Sequence, residues 1–80
     1  MAKSYRVTRN IYGLSRPRTY TDEGTLEELL NHTKYTFEVG YSYNRKINTN
    51  PKTIKSFISN YTKALKEKHC CPVEVDYMEI

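Results

Sequence analysis

Residues 4–12 alternate with a period of two: Tyr5, Val7, Arg9 and Ile11 fall on one side of an extended chain, and Arg6, Thr8, Asn10 and Tyr12 on the other. Gly13 and Pro17 punctuate the segment that follows, and Arg18, Thr19 and Tyr20 can return as a second strand. The pattern predicts a β-hairpin with an irregular turn over residues 13–17.

The period then changes. Thr25 followed three residues later by Glu28 is a capping box, in which each side chain satisfies the other residue's backbone N–H. Leu26, Leu29 and Leu30 begin an apolar stripe behind it, so a helix is expected to start at Thr25. Between Tyr35 and Tyr43 the odd positions are Tyr, Phe, Val, Tyr and Tyr, and the even ones are polar or small. This alternation of β-favouring types predicts a strand over residues 35–43. The competing reading is one long helix to about Asn44, with Leu26, Leu30, Phe37, Tyr41 and Asn44 at helical spacing.

After a polar loop over residues 44–50, Asn50 and Pro51 have the chemistry of an N-cap and a first helical residue. Ile54, Phe57, Ile58, Tyr61 and Leu65 recur at i, i+3, i+4, i+7 and i+11, which is one apolar helix face. Opposite it run Lys52, Lys55, Ser59, Lys63 and Lys66, a continuous stripe within about 80° at 100° per residue. Cys71 and Pro72 should end this helix, and Val73, Val75 and Tyr77, alternating with Glu74, Asp76 and Met78, predict a closing strand. The fold class expected is α+β: a small mixed or antiparallel sheet of three to four strands with two helices packed on one face, all in one basic domain over residues 1–80.

Eighty residues is near the size at which burying enough apolar surface becomes marginal, and a homodimer interface is one way to enlarge the core. Eight tyrosines with no tryptophan suit half-buried sheets and recognition surfaces alike. No run approaches the roughly 18 apolar residues of a membrane span, and no apolar segment follows Lys3 and Arg6 as it would in a secretory signal. A cytoplasmic location with no membrane partner is therefore expected. The Asn31 and Asn60 triplets then count as chance matches to a glycosylation pattern. Cys70 and Cys71 are adjacent, so a bond between them would restrain almost no chain entropy; reduced thiols are expected.

Charge changes the picture most, because the net +4 is arranged in blocks. Residues 1–18 carry +5, residues 19–44 carry −4, residues 45–69 carry +6 and the remainder carries −3. If the fold gathers the bases, the surface is bipolar, and a basic face attracts nucleic acid or an acidic protein. The candidate contact residues are Arg6, Arg9, Arg16, Arg18, Arg45, Lys46, Lys52, Lys55, Lys63 and Lys66. In the first block Tyr5, Tyr12 and Tyr20 interleave with the arginines. Guanidinium groups fork onto phosphates or carboxylates and tyrosines stack on bases or fill pockets, so the composition serves RNA and acidic protein surfaces equally.

Catalytic chemistry finds little support. His69, Cys70 and Cys71 form the one soft-ligand cluster, but three consecutive side chains diverge, whereas zinc needs about four converging ligands. His32 and His69 have the residue types of a two-histidine ribonuclease without a spacing that demands it. Gly13, Gly24 and Gly40 are isolated, so no phosphate-cradling loop is present. Neither catalytic residues, metal nor cofactor is expected.

The run from Tyr35 to Asn44 (YTFEVGYSYN) and the run from Lys46 to Ser56 (KINTNPKTIKS) resemble a pattern found in short accessory proteins of tailed bacteriophages. The resemblance covers about the middle third of the chain. It implies a class of role: a non-enzymatic protein that binds and inhibits a host or anti-phage defence factor of the restriction, CRISPR or toxin–antitoxin ribonuclease type. It carries over no site residue. The alternative is a sequence-tolerant RNA- or DNA-binding module using the lysine-striped helix and the arginine-rich hairpin.

Overall fold

The computed structural model describes residues 3–13 and 16–80. Five elements follow one another: β1 (Ser4–Ile11), β2 (Arg18–Thr25), α1 (Leu26–Tyr43), α2 (Ile54–His69) and β3 (Val73–Glu79). The sheet has the order β2-β1-β3, with both pairings antiparallel, so the first strand lies between the other two. Both helices cover one face of it. The class is α+β as expected, with three strands among the described residues, and of the two sheet types expected it is the antiparallel one.

The alternation read from the sequence sorts the two sheet faces. Val7 and Val73 are buried, and Tyr5, Ile11 and Val75 pack against the same core, all on the helix side. Arg6, Thr8 and Asn10 turn the other way, opposite Glu23, Thr21 and Thr19 of β2 and Met78, Asp76 and Glu74 of β3. That open face is polar throughout except Met78. The helices complete the core with Leu29, Phe37, Phe57, Tyr61, Ala64 and Leu65. Phe37, Phe57 and Tyr61 form its aromatic centre, with ring centroids 5.3–5.9 Å apart.

Two expectations are corrected. Residues 35–43 are not a strand; α1 runs through them unbroken, capped by Thr25 and Glu28 as anticipated. Its buried residues, Leu29, Thr33, Thr36, Phe37 and Gly40, follow helical spacing, while Tyr35 and Tyr43 stand 67% and 73% exposed. Burial on one stripe outweighs the β-propensity of the exposed tyrosines. The Thr33 hydroxyl stays satisfied in the core by donating to the Leu29 carbonyl at 2.8 Å. Gly40 lets α2 approach closely: a Cβ there would lie 2.6 Å from the Ala64 Cα.

The second correction concerns the start of α2. Its N-cap is Thr53, whose hydroxyl accepts from the Ser56 N–H at 3.1 Å, and not Asn50. Asn50 instead donates its N–H to the Asn48 side chain at 2.9 Å in a local turn, and Pro51 is buried. Thr53 offers the cap oxygen three residues before a free N–H, and the proline serves the loop's own packing. Ile47 and Pro51 anchor this loop, and Asn60 ties it to α2 by accepting from the Asn48 N–H at 2.8 Å while donating to the Ser56 carbonyl at 2.8 Å. The hairpin was expected to turn through residues 13–17; Leu14 and Ser15 lie outside the described residues.

Candidate binding surface

The helix α2 carries its apolar residues inward and leaves Lys55, Lys63 and Lys66 exposed on the far side from the sheet. Lys52 is also exposed but precedes the helix, so the stripe on the helix proper is Lys55, Ser59, Lys63 and Lys66. Among the described residues, none of these lysines has a carboxylate within 4.0 Å; the ion pairs are Lys3 with Glu79 and Arg6 with Glu23. The last turn adds Lys68 and His69, and cations there complement the negative end of the helix dipole. Cys70 closes the helix in the left-handed conformation (φ 54°), its N–H donating to the Lys66 carbonyl.

Two exposed tyrosines of α1 are stacked by cations. The Arg45 guanidinium sits 4.8 Å from the Tyr41 ring centroid, and the Lys68 ammonium 5.1 Å from that of Tyr35. Lys46 is exposed next to Arg45 in the loop. Of the eight tyrosines, only Tyr61 is fully buried; Tyr12, Tyr20, Tyr35, Tyr41, Tyr43 and Tyr77 reach the surface.

The arginines of the first block part company. Arg6 lies on the open sheet face, where its Nε donates to the Glu23 carboxylate. Arg9 turns under the helices: its guanidinium donates to the Tyr61 hydroxyl and stands 4.7 Å from the Tyr20 ring centroid. Its Nε is buried and, among the described residues, has no acceptor. Burial raises the Tyr61 pKa and the nearby guanidinium opposes that shift, so the phenol keeps its proton and accepts through its oxygen. Arg9 is thereby an internal polar tie, while Arg16 and Arg18 line a cavity.

That cavity, of about 940 Å³, opens at the end of the sheet where the hairpin meets the C-terminus of α2. Arg16, Arg18, Tyr12, Tyr20, His69 and the two cysteines line it. His69 has its pKa lowered, chiefly by burial and further by Lys68 and Arg9, so its imidazole is neutral near pH 7. Tyr12 donates to Glu74 at 3.1 Å across the mouth, and that bond raises the phenol's pKa. Both cysteines are free thiols. Two guanidiniums, a neutral imidazole and two aromatic rings in one concavity suit a planar anionic group.

The sequence separates these groups: Arg16 and Arg18 belong to its first basic block, His69 closes the second, and Cys70 and Cys71 follow directly after it. The pairing of β1 with β3 brings them together, because Ile11 pairs with Val73 and the Tyr12 N–H donates to the Pro72 carbonyl at 3.0 Å. The partly hydrophobic strand 73–79 was the available signal, but alternation does not say which strand it pairs with. Among the described residues, no group of three or more His, Cys, Asp or Glu side chains is placed to hold a metal ion, and no helix is long and apolar enough to cross a membrane. Comparison with known protein families, curated proteins and solved structures gives no match.

Proposed function

We propose that this is a non-enzymatic binding protein that engages an acidic surface of a partner protein through the lysine-bearing side of α2, with Arg45 and Lys46 beside it. The observation that supports this reading most is the separation of charge. Lys52, Lys55, Lys63 and Lys66 lack carboxylate neighbours among the described residues, whereas Glu23, Glu74 and Asp76 gather on the open sheet face. Clustered like charges repel in the free protein, and an anionic partner relieves that repulsion. The exposed tyrosines stacked by Arg45 and Lys68 supply the rigid aromatic area that lysines alone lack. The resemblance to bacteriophage accessory proteins makes a host or anti-phage defence factor the partner class, and inhibition by direct binding in the bacterial cytoplasm the mode of action.

A second reading is RNA binding, favoured by the cavity, where Arg16 and Arg18 stand beside Tyr12 and Tyr20. One experiment separates the two. The protein is used as bait in bacterial lysate with and without nuclease, and captured partners are retested as purified components against a variant with Lys52, Lys55, Lys63 and Lys66 all changed to Glu. Protein binding that survives nuclease and is lost in the variant supports the first reading. Capture that nuclease abolishes, with affinity falling steeply as salt rises, supports the second. Direct protein binding that the four substitutions leave intact refutes the assignment of α2.

A further inference from the structure

In a central antiparallel strand, successive residues turn their N–H and C=O toward opposite neighbours. The Ser4 carbonyl accepts from the Ile80 N–H at 2.9 Å and the Tyr12 N–H donates to Pro72, so even-numbered residues of β1 bond toward β3. The odd ones bond toward β2, where they face Arg18, Tyr20, Asp22 and Gly24. The main-chain groups of Thr19, Thr21, Glu23 and Thr25 therefore point to the free edge of the sheet. The Thr25 N–H is closed off by the Glu28 carboxylate at 3.0 Å. Those of Thr19, Thr21 and Glu23 face outward.

An uncovered edge is a template for another strand, and its side chains decide which one. Antiparallel self-pairing about a two-fold axis must set outward residues opposite outward residues, which leaves few registers. Centred on Thr19, Arg18 meets Tyr20 and its charge is unanswered, and Pro17, which has no N–H, falls opposite Thr21 next to the axis. Centred on Thr21, Arg18 meets Gly24 and Asp22 meets Tyr20, so neither charge is answered. Centred on Asp22, two carboxylates meet at the axis. Centred on Tyr20, Arg18 lies opposite Asp22 twice, Thr19 opposite Thr21 twice, Tyr20 meets its own copy, and Pro17 falls opposite Glu23 only at the two ends of the paired stretch. Only this last register answers both charges. The other free edge, β3, carries Glu74, Asp76 and Glu79 with no cation, so its self-pairing gathers carboxylates.

We propose that two copies of this chain associate through antiparallel pairing of β2 with β2, centred on Tyr20, into one continuous six-stranded sheet. Thr19 and Thr21 supply about four intermolecular main-chain hydrogen bonds. The Arg18–Asp22 pairs lie on the helix side of the sheet and the threonine pairs on the open side, and such cross-strand pairs favour association. The two-fold axis runs perpendicular to the sheet. Both helical layers, and both lysine stripes, then stand on the same side of the dimer.

The test is sedimentation of the full chain from about 1 μM to about 1 mM, the range over which a weak dimer titrates. The wild-type protein is expected to dimerise reversibly. Arg18→Asp sets carboxylate against carboxylate, Asp22→Arg sets guanidinium against guanidinium, and each is expected to weaken self-association by about tenfold or more. Mixed together, the two single variants are expected to form a heterodimer, since at positions 18 and 22 one strand then presents two acids and the other two bases. The double reversal R18D/D22R should restore the homodimer. Hydrogen exchange of the wild type reads the edge without any substitution: the Thr19 and Thr21 amides should gain protection as concentration rises. A wild-type protein that stays monomeric overturns the proposal. So does a dimer that both single variants leave unchanged, single variants that fail to associate on mixing, or Thr19 and Thr21 amides whose exchange ignores concentration.

Discussion

Gly40 offers a clean test of the packing between the helices, because two local effects oppose each other there. Replacing a glycine inside a helix with alanine stabilises by about 1 kcal/mol on backbone entropy alone. At Gly40, however, the added Cβ would lie 2.6 Å from the Ala64 Cα and 2.7 Å from its Cβ. The first of these is a main-chain atom of α2, so the clash cannot be relieved by a rotamer change; the helices must separate. Overpacking of this kind costs about 1–3 kcal/mol, and a backbone contact belongs at the upper end. The net expectation for Gly40→Ala is a loss of about 1–2 kcal/mol, or roughly 5–15 °C in melting temperature for a domain this small. Urea and thermal unfolding followed by far-UV circular dichroism would measure it. Gly13→Ala is the control, since among the described residues nothing lies within 4 Å of a Cβ there, and it should stay within about 0.5 kcal/mol of wild type. Adding Ala64→Gly to Gly40→Ala removes the Cβ–Cβ clash but not the contact with the Cα, so it should recover only part of the loss. A Gly40→Ala protein as stable as the wild type, or more so, would refute the close crossing of α1 and α2.

Three further outcomes follow from named contacts. Tyr61→Phe removes the acceptor for the Arg9 guanidinium and leaves a partly buried cation short of a partner; unfolding in urea should show a loss of about 1.5–3 kcal/mol. Thr25→Ala deletes the N-cap oxygen of α1 while Glu28 keeps its bond to the residue 25 N–H, so a loss of about 0.5–2 kcal/mol is expected by the same measurement. His69 binds its proton less readily in the folded protein than in the unfolded chain. Its contribution is therefore fully present above the unfolded value of about 6.5 and is lost as pH falls toward the lower folded value. The difference in urea midpoint between pH 7.5 and pH 5.5 should be smaller in His69→Gln than in the wild type, and an equal difference would remove His69 from the acid response.

Those elements whose signals were local could be read from the sequence. The capping box at Thr25 and Glu28 fixes where α1 begins, because both halves of the device lie within four residues. The apolar face of α2 is equally local: Phe57, Tyr61 and Leu65 all enter the core. Residues 35–43 were misread because the same side chains satisfy two periods. Phe37 is buried at either spacing, and what decides for the helix is Ala64 fitting over Gly40, a contact between residues 24 positions apart. The start of α2 was misplaced for a related reason: Asn50 and Pro51 have cap chemistry, but Pro51 is drawn into the loop's own burial. Most of the candidate surface was legible as a list of cations. Their sorting was not, since the inward turn of Arg9 depends on Tyr61 waiting across the core.

That sorting bears on how the charge blocks should be understood. Arg9 shows that a basic residue in a basic block can belong to the core, held by a phenol and an aromatic ring in place of a carboxylate. Arg6 shows the opposite case, neutralised by Glu23 directly across the hairpin. Subtracting both, and Lys3 where it pairs with Glu79, leaves Arg16 and Arg18 as the outward contribution of the first block, and these face the end of α2. The last turn of α2, which carries Lys66, Lys68 and His69, brings the second block to the same end, and His69 lines the cavity with them. The two basic blocks, separated by an acidic stretch in sequence, thus converge at one end of the fold, while Glu74 and Asp76 of β3 turn to the open face and Glu79 pairs with Lys3. The central position of β1, which sets Ile11 between Arg18 and Val73, is what brings the hairpin arginines to the end of α2, and strand order is as much a determinant of the electrostatics as composition is.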